Sequence, residues 1–334
     1  MNNPVLQTFP LGFPWQTQDP FLFCVYHLDH YPKGNENMGP DPSLLAGRNI
    51  GNDFTIKDGW RMYHGSTVPG FPYHPHRGFE TITIVNKGYC DHSDSLGAAG
   101  RFGQGDVQWM TAGRGVQHSE MFPLLNTNSG NPLELFQIWL NLPKADKFVD
   151  PHFKMLWHEE IPLVKEEQAQ IKVIAGTYKN HKASAPAPNS WASKPENEVA
   201  VWNIHVNDSS TFTLPKAASN VTRTLYFYEG ATIVINGRKI NKGFGITLDA
   251  QVDCIIEVGT ETAHFMLLQG KAIEEPVAKY GPFVTNTETE IQQAMEEYRL
   301  TQFGGWPWPH PDHVHDREKG RFAKYPDGTI VEKD

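Results

Sequence analysis

The pattern of apolar and polar positions along the chain is that of many short strands. Period-two alternation, or compact apolar runs bounded by turn residues, predicts strands at 21–27, 81–85, 107–111 and 133–142. Strands resume at 170–175, 200–206, 210–214, 224–228, 232–235, 244–248, 254–258 and 263–269. The run 133–142 is the clearest: Gln137, Trp139 and Asn141 fall on one face, Phe136, Ile138 and Leu140 on the other, and Pro143 ends it. Asn236-Gly237 between two apolar runs is a hairpin signal. Polar loops are predicted over 35–52 and 176–198. Helical spacing emerges late, where Ile291, Ala294, Met295 and Tyr298 form an apolar stripe. Thr287-Glu288-Thr289-Glu290 before it has the spacing of a capping box. Pro4, Pro10 and Pro14 break the first residues, and the Pro- and His-rich segment after Gly304 reads as an extended arm over the domain surface or a partner subunit. The predicted class is all-β, in two strand-rich halves.

Composition narrows this picture. A chain of 334 residues can bury two ordinary cores, and 29 glycines with 25 prolines suit a turn-rich β protein. The net charge of −9 and the scattered basic residues exclude a nucleic-acid-binding face. Cys24, Cys90 and Cys254 are odd in number and far apart, so they read as reduced thiols in a reducing compartment. No basic leader precedes an apolar run, and the run 21–26 is a strand's length, too short to span a membrane. A soluble, cytoplasmic protein with no membrane association is expected.

The candidate chemistry lies in two stretches. Tyr73-His74-Pro75-His76-Arg77-Gly78-Phe79-Glu80 carries histidines at i and i+2, and Gly113-Arg114-Gly115-Val116-Gln117-His118-Ser119-Glu120 carries a histidine and a carboxylate at the same spacing. In extended chain each pair projects from one face. Two such strands side by side inside a barrel would bring three imidazoles and one carboxylate together, a set suited to a divalent transition metal with coordination positions left open. Pro75 cannot donate to a ladder, so its segment is expected at a strand start or a sheet edge. Other histidines are read as structural: His27 and His30 as surface residues, His92 as a solvated loop residue, His152 and His158 as unpaired, and His264 as a lone packed histidine. Where the second half would need a ligand pair it has Tyr226, Phe227 and Tyr228. His313 and His315 in the tail are two apart, a spacing that suits adventitious metal binding.

The stretches His74-Pro-His-Arg-Gly-Phe-Glu-Thr81 and Gly105-Asp-Val-Gln-Trp-Met-Thr-Ala-Gly-Arg-Gly-Val-Gln-His-Ser-Glu-Met121 closely resemble the two motifs of the pirin family, bicupins within the cupin superfamily. The resemblance runs on through 133–143, the second half and the helix start at Asn286-Thr287. It implies two cupin (jelly-roll) β-barrels face to face: a metal-binding barrel at 1–143, a barrel without metal at 144–285, and a C-terminal helix and extended tail at 286–334. Carried over residue by residue, the ligands are His74, His76, His118 and Glu120, holding one divalent transition metal per chain. Iron is the metal most associated with the family, with Mn, Co, Ni, Cu and Zn as alternatives. Several pirins resemble quercetin 2,3-dioxygenases, which open a flavonol ring with dioxygen and release carbon monoxide. On that reading Glu120 is the base that takes the flavonol hydroxyl proton, and Glu80 either orients a ligand histidine or pairs with Arg77. The competing readings are an iron-binding regulatory protein, read by a protein partner, and a metalloprotein acting on another small molecule.

Overall fold

The computed structural model describes residues 3–217 and 221–333. Apart from one α-helix and five short 3-10 helices, its elements among these residues are strands, in two cupin domains. The chain divides into two compact units. One comprises residues 1–25, 138–143 and 159–274; the other comprises residues 26–137, 144–158 and 275–334.

The linear division at 143/144 and 285/286 therefore does not follow the packing. Residues 1–25 fold with the second half because Val5–Pro10 pairs antiparallel with Phe244–Leu248. Trp15 also stacks on Tyr226, ring centroids 5.0 Å apart. Residues 275–334 fold with the first half because Arg321–Lys324 pairs with Ala99–Gly103. Buried Arg101 fixes this tail: it forms an ion pair with Asp91 at 2.7 Å and donates to the carbonyls of His315, Asp316 and Lys319. The arm after Gly304 is thus an integral part of its own unit.

In the unit that holds residues 26–137, a six-stranded sheet runs in the order Ile330–Lys333, Arg321–Lys324, Ala99–Gly103, Tyr89–Asp94, Val116–Met121 and Gly70–His76. A five-stranded sheet runs in the order His152–Leu156, Val107–Thr111, Phe79–Lys87, Asn131–Asn141 and Phe21–Tyr31. Gly70–His76 lies at the end of its sheet order, where Pro72 and Pro75 cost no ladder bond to a further strand. The second unit has a seven-stranded and a four-stranded sheet around a core that includes Trp202, Leu225, Phe227, Ile246, Phe265 and Leu267.

The helix Glu288–Thr301 begins as its sequence dictates. Thr287 Oγ1 accepts from the Glu290 amide at 3.2 Å, and Glu290 Oε2 accepts from the Thr287 amide at 3.0 Å, so two otherwise orphan donors are satisfied. Ile291 and Ala294 are buried, with Met295 and Tyr298 packed beside them against Phe283 and Phe303. Phe303 in turn lies over Gly115. A Cβ there would sit 2.7 Å from the ring and φ is +139°, so glycine alone allows the turn into Val116–Met121 to pass beneath it.

Several histidine readings change. His27 is buried, with Nδ1 2.7 Å from the Tyr63 hydroxyl, whereas His30 is exposed as expected. The strand carrying His27 runs on to Tyr31, beyond the end predicted at 27. His264 is not alone: its ring lies 4.1 Å from that of His205, and its Nδ1 is 3.7 Å from Glu229 Oε2.

Candidate metal centre

His74 and His118 are direct partners across the antiparallel pairing of Gly70–His76 with Val116–Met121. The two-residue period then puts His76 and Glu120 on the same side as their respective neighbours. The ring centroids of His74, His76 and His118 lie 4.5 to 4.9 Å apart pairwise. One ligating nitrogen from each falls within 4.8 Å of the others. Ligands at about 2.1 Å from one ion stand at most about 4.2 Å apart, so small side-chain adjustments close the set.

The protonation state suits a cation. Burial pushes the His74 pKa down to about 4, and holds those of His76 and His118 well below the ordinary value. All three are neutral at pH 7. His74 Nδ1 lies 2.9 Å from the Pro72 carbonyl, which fixes the proton there and leaves Nε2 free to ligate. His118 is fully buried, and neither of its ring nitrogens has a hydrogen-bond partner. Such an orphan costs free energy unless something coordinates it. Three neutral imidazoles with an adjacent carboxylate therefore fit a divalent transition ion.

Glu120 stands beside this group rather than inside it. Its Oε2 is 3.9 Å from His118 Nε2 and accepts from Gln137 Nε2 at 2.9 Å. Its Oε1 is 2.9 Å from Thr83 Oγ1, which is itself 2.5 Å from Gln137 Oε1. A hydroxyl has one proton to donate, so Thr83 cannot donate to both oxygens. The ring closes when Glu120 carries a proton and donates to Thr83, which donates on to Gln137. Burial raises the Glu120 pKa in the same sense, opposed by the Thr83 and Gln137 hydrogen bonds and by His92.

His92 is a further residue that the structure places differently from the sequence reading. It lies on Tyr89–Asp94, directly across from Glu120, fully buried, with its ring 5.4 Å from that of His118. Its Nε2 is 3.2 Å from Asp94 Oδ2 and its ring stacks on Phe153. Thr83 and Gln137 were also missed as site residues. The available signal was a polar side chain in a run of apolar residues, on strands that turn out buried on both faces. Glu80 is buried and accepts from Thr111 Oγ1 at 2.8 Å, while Arg77 pairs with Glu297 at 2.8 Å.

These histidines give a pH dependence to the metal-free protein. The folded pKa of His27 is about 3 and that of His74 about 4, both below the unfolded value near 6.5. Below pH 6.5 the unfolded chain takes up protons that the folded chain refuses, so stability is lost as pH falls toward 4. Each such histidine contributes about 1.4 kcal/mol per pH unit over that window. Asp29 and Glu120, raised by burial, act in the opposite sense, but His76 and His118 join the first two and outnumber them. Urea titrations of the stripped protein should show a lower midpoint at pH 5 than at pH 7; equal midpoints would exclude this account.

Comparison with known proteins accords with this architecture. The Pirin family model matches residues 45–140, and that of the Pirin C-terminal cupin domain matches residues 201–304. A Pseudomonas aeruginosa protein named "Putative quercetin 2,3-dioxygenase" is 35% identical over 70% of this chain and 79% of its own length. Pirin-1 of Arabidopsis thaliana is 32% identical over 72% of this chain and 80% of its own. The crystal structure of a quercetin 2,3-dioxygenase from Acinetobacter baumannii superposes with a TM-score of 0.68 at 26% identity, covering 91% of this chain and 96% of that one. With both cupin domains matched in order, the chain belongs to the pirin family.

Proposed function

We propose that this pirin is a metal-dependent dioxygenase of the quercetin 2,3-dioxygenase type, opening a flavonol ring with dioxygen and releasing carbon monoxide. The observation that carries the reading is the convergence of three buried, neutral imidazoles, with the Glu120 carboxyl group 3.9 Å from His118 Nε2. His74, His76, His118 and Glu120 are the proposed ligands of one divalent transition metal, iron before manganese, cobalt, nickel, copper or zinc. When bound, the ion supplies a positive centre that favours an anionic enolate and brings it together with dioxygen. Glu120 takes the flavonol hydroxyl proton, and Thr83 and Gln137 hold its carboxyl in place. The similarity to the Acinetobacter baumannii enzyme supports the substrate class.

A reducing, cytoplasmic setting is consistent with the free, buried Cys24, Cys90 and Cys254. No helix among the described residues is long and apolar enough to cross a membrane. The test is oxygen uptake on quercetin by protein loaded in turn with each metal, with carbon monoxide measured in the headspace. Metal-dependent uptake with matching carbon monoxide is expected. A loaded protein without turnover on any of these ions would leave the regulatory reading, in which a protein partner senses the iron.

A further inference from the structure

The unit that holds residues 159–274 has a cavity of about 540 Å³, remote in sequence from His74, His76 and His118. It opens where three neighbouring strands end. Gln269 of Ala263–Lys271 is paired on one side with Ala200 and on the other with Arg223. Arg223 shares its strand face with Leu225 and Phe227, which belong to the core, so its side chain is carried inward with theirs. Trp202 and Val199 add apolar wall, and Lys179, Lys182, Lys194 and Lys216 lie along the lining.

Two buried polar groups in this lining are incompletely satisfied. Arg223 is 1% exposed, and of its donors Nη1 reaches the Pro215 carbonyl at 2.7 Å while Nε has no partner. Among the described residues no carboxylate oxygen comes within 4 Å of the guanidinium; Glu198, at the cavity, and Asp253 act on it only from further away. Gln269 is 5% exposed, and its Nε2 donates to the Glu198 carbonyl at 3.2 Å while Oε1 has no partner. An arginine this deep is normally paired, since a lone buried charge is strongly destabilising. Here the Nε–Nη2 edge offers the two parallel N–H donors that match a planar carboxylate, and Gln269 Oε1 offers an acceptor for a hydroxyl.

We propose that this cavity binds a small aromatic or aliphatic acid bearing a hydroxyl group, with Arg223 holding the carboxylate, Gln269 accepting from the hydroxyl and Trp202 contacting the apolar body. Lys182, Lys194 and Lys216 raise the local anion concentration without entering the specific contacts, while Lys179 is paired with Glu166. The cupin domain of this unit is thereby given a binding role of its own, independent of the centre at His74, His76 and His118.

Calorimetric titration of the full chain, in low-chloride buffer, tests this with salicylate, benzoate, phenol and inorganic phosphate. Saturable binding is expected in the order salicylate, then benzoate, with phenol and phosphate weaker than both. Arg223→Met should weaken salicylate about thirty-fold or more. Gln269→Leu should erase the advantage of salicylate over benzoate while leaving benzoate itself bound. Metal content should be unchanged in both variants. Undiminished salicylate binding in Arg223→Met, phosphate binding at least as tightly as salicylate, or no saturable binding of either acid would overturn the proposal. Should Arg223→Met fail to fold, the ranking on the wild-type protein decides it.

Discussion

Replacing His118 by alanine is expected to strip the metal. The purified wild-type chain should hold close to one equivalent, and the variant less than about a tenth of that under the same dialysis. Even partners that only orient a ligand cost about 10- to 100-fold in metal affinity when removed, and a direct ligand costs more. His118 is the ring that the other site residues surround: His74 lies across the ladder, His76 beside it, and Glu120 Oε2 3.9 Å from its Nε2. It has no hydrogen-bonding duty to lose, so the loss of metal would report on coordination rather than on a broken network. The control is His264→Ala. That residue lies against His205 and Glu229, another histidine pair with a nearby carboxylate, and the proposal assigns it no ion. Elemental analysis of both variants checks the pair of outcomes. Metal kept in His118→Ala, or lost in His264→Ala, would move the site.

Much of this site was readable because its geometry is local. Two i, i+2 pairs on extended chain need one ladder contact to converge, and the alternation of side chains does the rest. The strands Thr232–Ile235, Phe244–Leu248 and Cys254–Val258 were legible for a similar reason, since turn residues bound short apolar runs there. The capping box that starts the helix is four residues long and acts within itself. What escaped the sequence is what only neighbours decide. Val5–Pro10 looked like proline-broken coil, yet Pro4 precedes and Pro10 ends a strand at the end of a sheet order, where a missing donor costs nothing. The stretch from Asp91 onward, around His92, looked like a polar loop because Asp91, His92, Ser93 and Asp94 follow one another, yet it belongs to Tyr89–Asp94. It is a strand between two others, and its charges are met by Arg101 and by backbone donors. Polar residues at strand positions are legible only when their partners are known, and the partner of Asp91 is ten residues on, while that of Glu120 lies on two other strands. The assignment of the first and last segments to the compact units was invisible for the same reason. Edge pairing joins residues whose distance in sequence is large.

Replacing Glu120 by glutamine is expected to separate holding a metal from using it. The carboxamide can reproduce the ring that a protonated Glu120 makes: its nitrogen donates to Thr83 Oγ1 and its oxygen accepts from Gln137 Nε2. The fold around the histidines should therefore be kept, and the carbonyl oxygen remains available to an ion. What the amide lacks is basicity. In the wild-type protein, burial raises the Glu120 pKa, so the group is a stronger base than an exposed carboxylate and returns to its neutral form once it has taken a proton. General-base assistance is worth about a hundredfold to ten-thousandfold. Flavonol-dependent oxygen uptake, normalised to bound metal, should fall by about two orders of magnitude or more in Glu120→Gln, while a substantial fraction of the metal stays bound. The normalisation keeps occupancy apart from chemistry. Turnover per metal equal to wild type would remove Glu120 as the base and leave it as a charge beside His118. Loss of all metal would instead make the carboxylate a ligand that the amide cannot replace, and the base would have to be sought elsewhere around the site, with His92 the first residue to examine.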